Sequence, residues 1–313
     1  MPTIIDAHCD ALMKMFVNRK LDFYQDEPDL DVNYERMAEA GVKVQFFALF
    51  LPEALERPGF EHLLEYIDIF YRKVQRKGMV SLIKNQSDLR TVFTKERHGA
   101  ILSLEGVDVL AGNEMYARIV YQLGVRFAGI TWNYANWAAD GVMEPRKGGF
   151  TLRGKKFIKE CNDLGIILDV SHLSVKGFWE LAELSQKPFI ASHSNALAVC
   201  PHPRNLNDEQ IKAIIKADGT IGITFVPYFV RSEGPARITD ILRHIDHVCS
   251  LGGADHLGFG SDFDGIKEWV HGLEHAGRYG NLVDELCKHY KASEIEAFLW
   301  GNWYRFLEKN LPE

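Results

Sequence analysis

The chain has 313 residues, 46% of them hydrophobic and 25% charged, which supplies enough apolar side chains for a large buried core. A formal charge of −7 without any clustered Lys/Arg stripe argues against a nucleic-acid surface, and no stretch approaches the roughly 18–20 uninterrupted apolar residues of a membrane helix. Five scattered cysteines, odd in number and forming no C-x-x-C pair, argue against a disulfide framework and against a thiolate metal site.

Met1 leads into Ile4-Ile5-Asp6 without a basic n-region or a long apolar stretch, so no secretory signal is expected and the chain reads as cytoplasmic. A first strand is predicted over 3–8 and a second over 42–50. A helix follows over 61–76, then strand 100–105, helix 114–123, strand 125–132 and helix 152–164. Strand 166–172 and helix 175–184 come next, then strand 189–193, helix 208–216, strand 220–225, helix 238–251 and strand 257–262. A tail over about 292–311, with Trp300 and Trp303, reads as a closing helix. The strand cores are nearly continuous apolar runs, which suits strands covered on both faces. Eight such strands separated by helices, with no repeat and no low-complexity linker, predict one domain over 1–313, a (β/α)8 TIM barrel. An open doubly wound sheet would carry a Gly-rich phosphate turn after its first strand, where this chain has Asp6-Ala7-His8-Cys9-Asp10.

In such a barrel the active site lies at the carboxyl ends of the strands. Strand one ends in His8-Cys9-Asp10, strand three in Glu105, strand five in His172, strand six in His193 and strand eight in Asp262. A single histidine at a strand end is more often a satisfied polar group than a ligand; the joint pattern over five strand ends points to a metal. Imidazole with carboxylate and no thiolate suits Zn²⁺ and similar first-row cations, Mn²⁺ and Co²⁺ included. Three histidines and three carboxylates exceed what one tetrahedral ion needs. His8, Asp10 and Glu105 are therefore assigned to one cation and Glu105, His172 and His193 to a second, with Glu105 bridging. A hydroxide held between two cations is a nucleophile at neutral pH. Asp262 would orient that water and pass its proton to a leaving amine.

The remaining candidates are weaker. Alternation along a strand turns Cys9 away from His8 and Asp10, so it reads as a buried thiol. Asp262-Phe263-Asp264-Gly265 lacks the other ligands of a calcium loop. His271-Gly-Leu-Glu274-His275 fits an H-x-x-E-H zinc helix, but Gly272, Gly277 and Gly280 make a helix there improbable and a surface loop is expected. His244 and His247 are expected to face solvent. Arg204, on the rigid Cys200-Pro-His-Pro-Arg-Asn205 loop, could clamp a substrate carboxylate with two parallel hydrogen bonds. Trp132 and Asn133, after strand four, open an aromatic and amide-rich stretch that could wall a pocket.

The segments Asp6-Ala-His8-Cys-Asp10, Ser103-Leu-Glu105-Gly, Asp169-Val-Ser-His172-Leu-Ser, Ala191-Ser-His193-Ser-Asn, Pro203-Arg204-Asn205 and Gly258-Phe-Gly-Ser-Asp262-Phe-Asp264-Gly resemble, together, those of the membrane dipeptidase (renal dipeptidase, peptidase M19) family, and of its bacterial members most. The resemblance spans essentially the whole chain. It implies a binuclear zinc barrel enzyme, commonly a homodimer, that hydrolyses dipeptides to free amino acids. Animal members accept a D-residue at the carboxyl-terminal position, and some open β-lactam rings. The family's metal ligands fall on His8, Asp10, Glu105, His172 and His193, its water-orienting aspartate on Asp262 and its carboxylate-binding arginine on Arg204. One position departs: Trp132 stands where animal members have a histidine that helps bind the reacting carbonyl oxygen, a role left to Asn133 or a metal. The lack of a signal and lipid-anchor sequence separates the chain from the membrane-bound members. Two alternatives keep the site but change its use: a lactam or other small cyclic amide as substrate, or a non-catalytic zinc-holding scaffold.

Overall fold

The structure is a computed structural model describing residues 2–52 and 55–313. Eight strands run parallel: β1 (Ile4–Asp6), β2 (Val42–Phe50), β3 (Val80–Leu82), β4 (His98–Glu105), β5 (Val125–Gly129), β6 (Ile167–Asp169), β7 (Ile221–Ile223) and β8 (Leu257–Phe259). Their order is β6-β5-β4-β2-β1-β8-β7, with β3 off this path and paired to β4. Single bridges Asp169↔Ile190 and Ala191↔Ile221 carry the sheet from β6 back to β7. The segment predicted as strand 189–193 is thus a two-residue rung, and it closes the ring. The architecture is the predicted TIM-type barrel.

The structure places β3, which no sequence pattern announced, against His98, Gly99 and Ala100 at the start of β4, while β5 takes the same strand's edge from Leu102 onward. Three residues are too few to display a period. The two-turn helices Ala11–Val17 and Tyr34–Ala40 escaped prediction for the same reason; the longer helices Gln86–Thr94 and Tyr279–His289 were also not predicted. Helices Leu152–Leu164, Val175–Leu184 and Asp208–Lys216 lie where predicted, and each is opened by a side-chain cap from Thr151, Ser174 or Asn207.

Alternation sorts the strand side chains into two cores. Ile5, Ala7, Val44, Phe46, Ile101, Phe127, Ile167 and Ile190 fill the barrel, and Trp303, Phe306, Leu307 and Leu311 complete that same cluster. The last helix, Asn302–Asn310, thereby seals the barrel at the end opposite the carboxyl ends of the strands. The Trp303 indole donates to the Phe259 carbonyl at 3.2 Å. Gly258 makes room for it, because a Cβ there would stand 2.4 Å from the indole ring. Residues of the other parity, such as Phe47, Leu49, Leu102 and Leu104, join the helices in the outer core, where Cys9 also lies. No helix among the described residues is long and apolar enough to cross a membrane.

One expectation is overturned. His244 is fully buried, not solvent-facing: its Nδ1 accepts from the Ala196 N–H at 3.1 Å and its Nε2 donates to the Val230 carbonyl at 3.0 Å. It stands three residues after Ile241 and four before Val248, on the apolar stripe of the helix Ile238–Ser250. His247 is half-buried, with its Nε2 2.8 Å from an Asp208 oxygen. The H-x-x-E-H stretch is no helix: Gly272 adopts φ 86°, and its N–H is held by the Glu274 carboxylate.

Candidate metal centre

The ladders of β1 and β6 stop short of the sequence-predicted ends, and side chains take over part of the hydrogen bonding there. Asp6 accepts from the His8 N–H, and Asp169 accepts from the Ser171 N–H at 2.9 Å. Glu105 is the last residue of β4 and still on its ladder, while the other site residues lie beyond the ends of the named strands. His172 and Asp262 both hold φ 67°, a left-handed conformation uncommon outside glycine and a form of stored strain that clusters at functional sites.

Six of the predicted side chains converge there. His8 Nε2 lies 3.5 Å from Asp10 Oδ2, 3.3 Å from Glu105 Oε2 and 3.8 Å from Asp262 Oδ1. The other Glu105 oxygen, Oε1, lies 3.0 Å from His172 Nε2 and 3.9 Å from His193 Nε2. The two Nε2 atoms of His172 and His193 stand 2.9 Å apart. Glu105 therefore divides its oxygens between two groups of ligand-type atoms. His8, Asp10, His172 and His193 are buried.

Electrostatics follow from that burial. Burial pushes His172 down to about 3, aided by the Arg204 charge, and pushes His193 well below the usual histidine range, so both are neutral with a lone pair to give. Burial also pulls at His8, but the Glu105 and Asp10 carboxylates outweigh it and hold its pKa well above the ordinary value. Burial would raise Glu105, yet His8 and His172 bring it below the usual carboxylate range. Asp262 is pushed well above that range by burial, with Asp10 and Glu105 adding repulsion. Positive charge is what this cluster of carboxylates demands.

The residues present fit divalent cations. His8 Nε2 and Asp10 Oδ1 are buried without a hydrogen-bond partner. His172 Nδ1 faces Asn133 Oδ1 at 2.9 Å, and because an amide oxygen only accepts, the proton sits on Nδ1 and the Nε2 lone pair points into the site. The donors are nitrogen and oxygen alone.

Asp10, Glu105, His172, Arg204 and Asp262 line a cavity of about 240 Å³ walled by Met143, Tyr228 and Phe229. A second cavity of about 240 Å³, lined by Leu49, Leu51, Val109 and Tyr134 with the Asp108 carboxylate, adjoins it across Phe50, Glu105 and Trp132. The Trp132 ring packs on Phe50 at 5.1 Å, as a partition. Arg204 is buried, donates through Nη2 to the His193 carbonyl at 3.1 Å and leaves its Nε without a partner. Asn133 holds the His172 ring, as described, whereas the sequence suggested a carbonyl-oxygen binder. Sequence reasoning passed over the bracing residues Asp6, Asp169, Ser192 and Ser261. Their signal was an aspartate two or three residues ahead of a site histidine, in Asp6-x-His8 and Asp169-x-x-His172.

A family model described as membrane dipeptidase (peptidase family M19) matches residues 2–311. Dipeptidase aclJ of Aspergillus oryzae is 30% identical over 291 residues, which are 88% of this chain and 69% of that protein. The crystal structure of dipeptidase AC, a metallopeptidase of family M19, superposes with a TM-score of 0.92 at 26% identity, covering 100% of this chain and 99% of its own. A metallopeptidase from Rhodobacter sphaeroides, liganded with a phosphinate mimic of the dipeptide L-Ala-D-Ala, superposes with a TM-score of 0.89 at 26% identity, covering 99% of each chain.

Proposed function

The chain belongs to the membrane dipeptidase family, peptidase family M19, and is a metallo-dipeptidase; from that premise we propose a binuclear zinc enzyme that hydrolyses dipeptides, L,D-dipeptides among them, to free amino acids. The observation that carries the two-cation reading is the split of Glu105, with Oε2 toward His8 and Oε1 toward His172 and His193. Imidazole and carboxylate donors without thiolate support zinc, with Mn²⁺ or Co²⁺ as substitutes.

His8, Asp10 and Glu105 would hold one cation and Glu105, His172 and His193 the other. Cations bound there would polarise the scissile carbonyl and lower the pKa of water toward about 7. Arg204 has an unused, buried Nε–H beside its other donors, and it takes the substrate carboxylate. Since Arg204 lines only the cavity with Met143 and Phe229, the carboxyl-terminal residue occupies that lobe. The amino-terminal residue then reaches the lobe of Leu49, Leu51 and Val109. The scissile bond lies between them, over Glu105. Asp262, whose carboxyl is raised by burial and reaches toward His8, accepts a proton from the attacking water and delivers it to the leaving amine. The ligand of the Rhodobacter relative supports a D-residue at the carboxyl-terminal position.

The test is a zinc titration of chelator-stripped protein, with bound zinc counted and L-Ala-L-Ala and L-Ala-D-Ala assayed at each step. Two equivalents at full activity are expected. Full activity at one equivalent overturns the binuclear reading, and two equivalents without cleavage of either peptide overturns the substrate.

A further inference from the structure

Beneath the rim the same device occurs twice. In β1, Asp6 Oδ1 accepts from the His8 N–H at 3.3 Å and the Ser261 N–H at 2.8 Å, and Asp6 Oδ2 accepts from the Ser261 hydroxyl at 2.7 Å. In β6, Asp169 Oδ1 accepts from the Ser171 N–H at 2.9 Å and the Ser192 N–H at 3.0 Å, and Asp169 Oδ2 accepts from the Ser192 hydroxyl. Each is an aspartate at a strand end that grips the N–H two residues on and both donors of a serine on the neighbouring barrel segment. Each serine immediately precedes a site residue, Asp262 in one case and His193 in the other. All four residues are buried.

The two brackets differ in what else their serine hydroxyls meet: Ser261 Oγ lies 3.1 Å from the His8 carbonyl and accepts from the Phe263 N–H. The Ser192 hydroxyl also lies 2.8 Å from His193 Nδ1, while Ser261 makes no contact with an imidazole among the described residues. A hydroxyl has one proton, and Ser192 gives it to Asp169. Toward His193 it can then only accept, so Nδ1 carries the ring proton and Nε2 keeps its lone pair. Asn133 imposes the same tautomer on His172. The result is two lone pairs facing each other 2.9 Å apart, an arrangement that repels until a cation stands between nitrogens and carboxylate.

We propose that Asp169 and Ser192 are positioning residues that form a relay, Asp169–Ser192–His193, which fixes the imidazole tautomer of His193 and so sets the affinity of the second cation position, whereas the matching Asp6–Ser261 bracket only braces backbone. The inference rests on the binuclear reading for what it tunes. Loss of such an outer partner costs about 10–100-fold in metal affinity.

Four variants test it: Ser192→Ala, Asp169→Asn, the pair combined, and Ser261→Ala. Asp169→Asn keeps the shape and the Oδ1 acceptor, but its Nδ2 donates to Ser192, whose proton then turns to His193 Nδ1 and drives the ring to the other tautomer. Metal-free proteins are titrated with zinc against a competing chelator, and the protonated nitrogen of His193 is read from long-range ¹H–¹⁵N correlations. Ser192→Ala and Asp169→Asn are expected to weaken one of two zinc equivalents about 10–100-fold and spare the other. The combined variant is expected to lose no more than the worse single one, and Ser261→Ala to keep both affinities. Wild-type affinities in Ser192→Ala and Asp169→Asn, or an equal loss in Ser261→Ala, overturn the proposal. Should Ser192→Ala fail to fold, the near-isosteric Asp169→Asn decides alone. Wild-type protein binding one equivalent overturns the two-cation reading instead, and the relay then stands or falls on whether Asp169→Asn moves the His193 proton.

Discussion

Replacing Arg204 with methionine separates recognition of a free carboxylate from everything else the site does. The guanidinium is buried, and at neutral pH it remains charged although burial lowers its pKa to about 10. One of its donors is spent on the His193 carbonyl at 3.1 Å, its Cζ stands 5.3 Å from the centre of the Phe229 ring, and its Nε has no partner. Methionine fills similar space against Phe229 but leaves an arriving carboxylate buried and unpaired. Truncating one member of a buried charged pair costs about 2–5 kcal/mol, or roughly 30- to 5000-fold in kcat/KM at a tenfold change per 1.36 kcal/mol. The loss is expected mainly in KM. The freed His193 carbonyl costs about 1 kcal/mol of folding stability, which an unfolding curve reports and a substrate ratio does not. The assay is kcat/KM for L-Ala-L-Ala against L-Ala-L-Ala amide, which offers no carboxylate. For the amide, wild type and variant should agree within about threefold, since no charged contact is lost there. A variant that loses the same factor on both substrates refutes the assignment.

Asp262→Asn is expected to retain bound zinc while turnover falls about 10²–10⁴-fold, the range for a lost general acid–base group; metal analysis beside kcat checks it, and intact turnover removes Asp262 from the mechanism. His244, held by burial near pKa 4 against about 6.5 when unfolded, binds fewer protons folded than unfolded between those values. Its neutral, fully bonded state thus contributes stability above pH 6.5 that is lost as pH falls toward 4, about 3 kcal/mol in all. Urea midpoints from pH 7.5 to 4.5 should fall less steeply in His244→Gln, and parallel slopes would contradict this. Trp303→Ala should cost about 3–5 kcal/mol by leaving a cavity at the sealed end of the barrel; a loss below about 1 kcal/mol in urea unfolding would mean the helix Asn302–Asn310 does not close it.

Much of the barrel was legible before any coordinates. Long strands announced themselves through apolar runs, as Val42–Phe50 did, and the helix Leu152–Leu164 through its 3.6-residue period. The three-residue strand Val80–Leu82 and the two-turn helix Ala11–Val17 are too short to carry a period, and only their partners stabilise them. His244 was misplaced by its polarity, although Ile241, Ile245 and Val248 mark its side of the helix as the buried one.

For the site, residue identity and spacing along the chain determined which side chains could ligate a metal, because strand ends in a parallel barrel meet at one rim. What tertiary structure alone decided is direction. The division of the Glu105 oxygens and the unfilled Nε donor of Arg204 depend on neighbours far away in sequence. So does the ring proton of His172, set by Asn133 from 39 positions away. A hydrogen bond specifies an angle and a donor, and no linear pattern encodes either until the barrel closes.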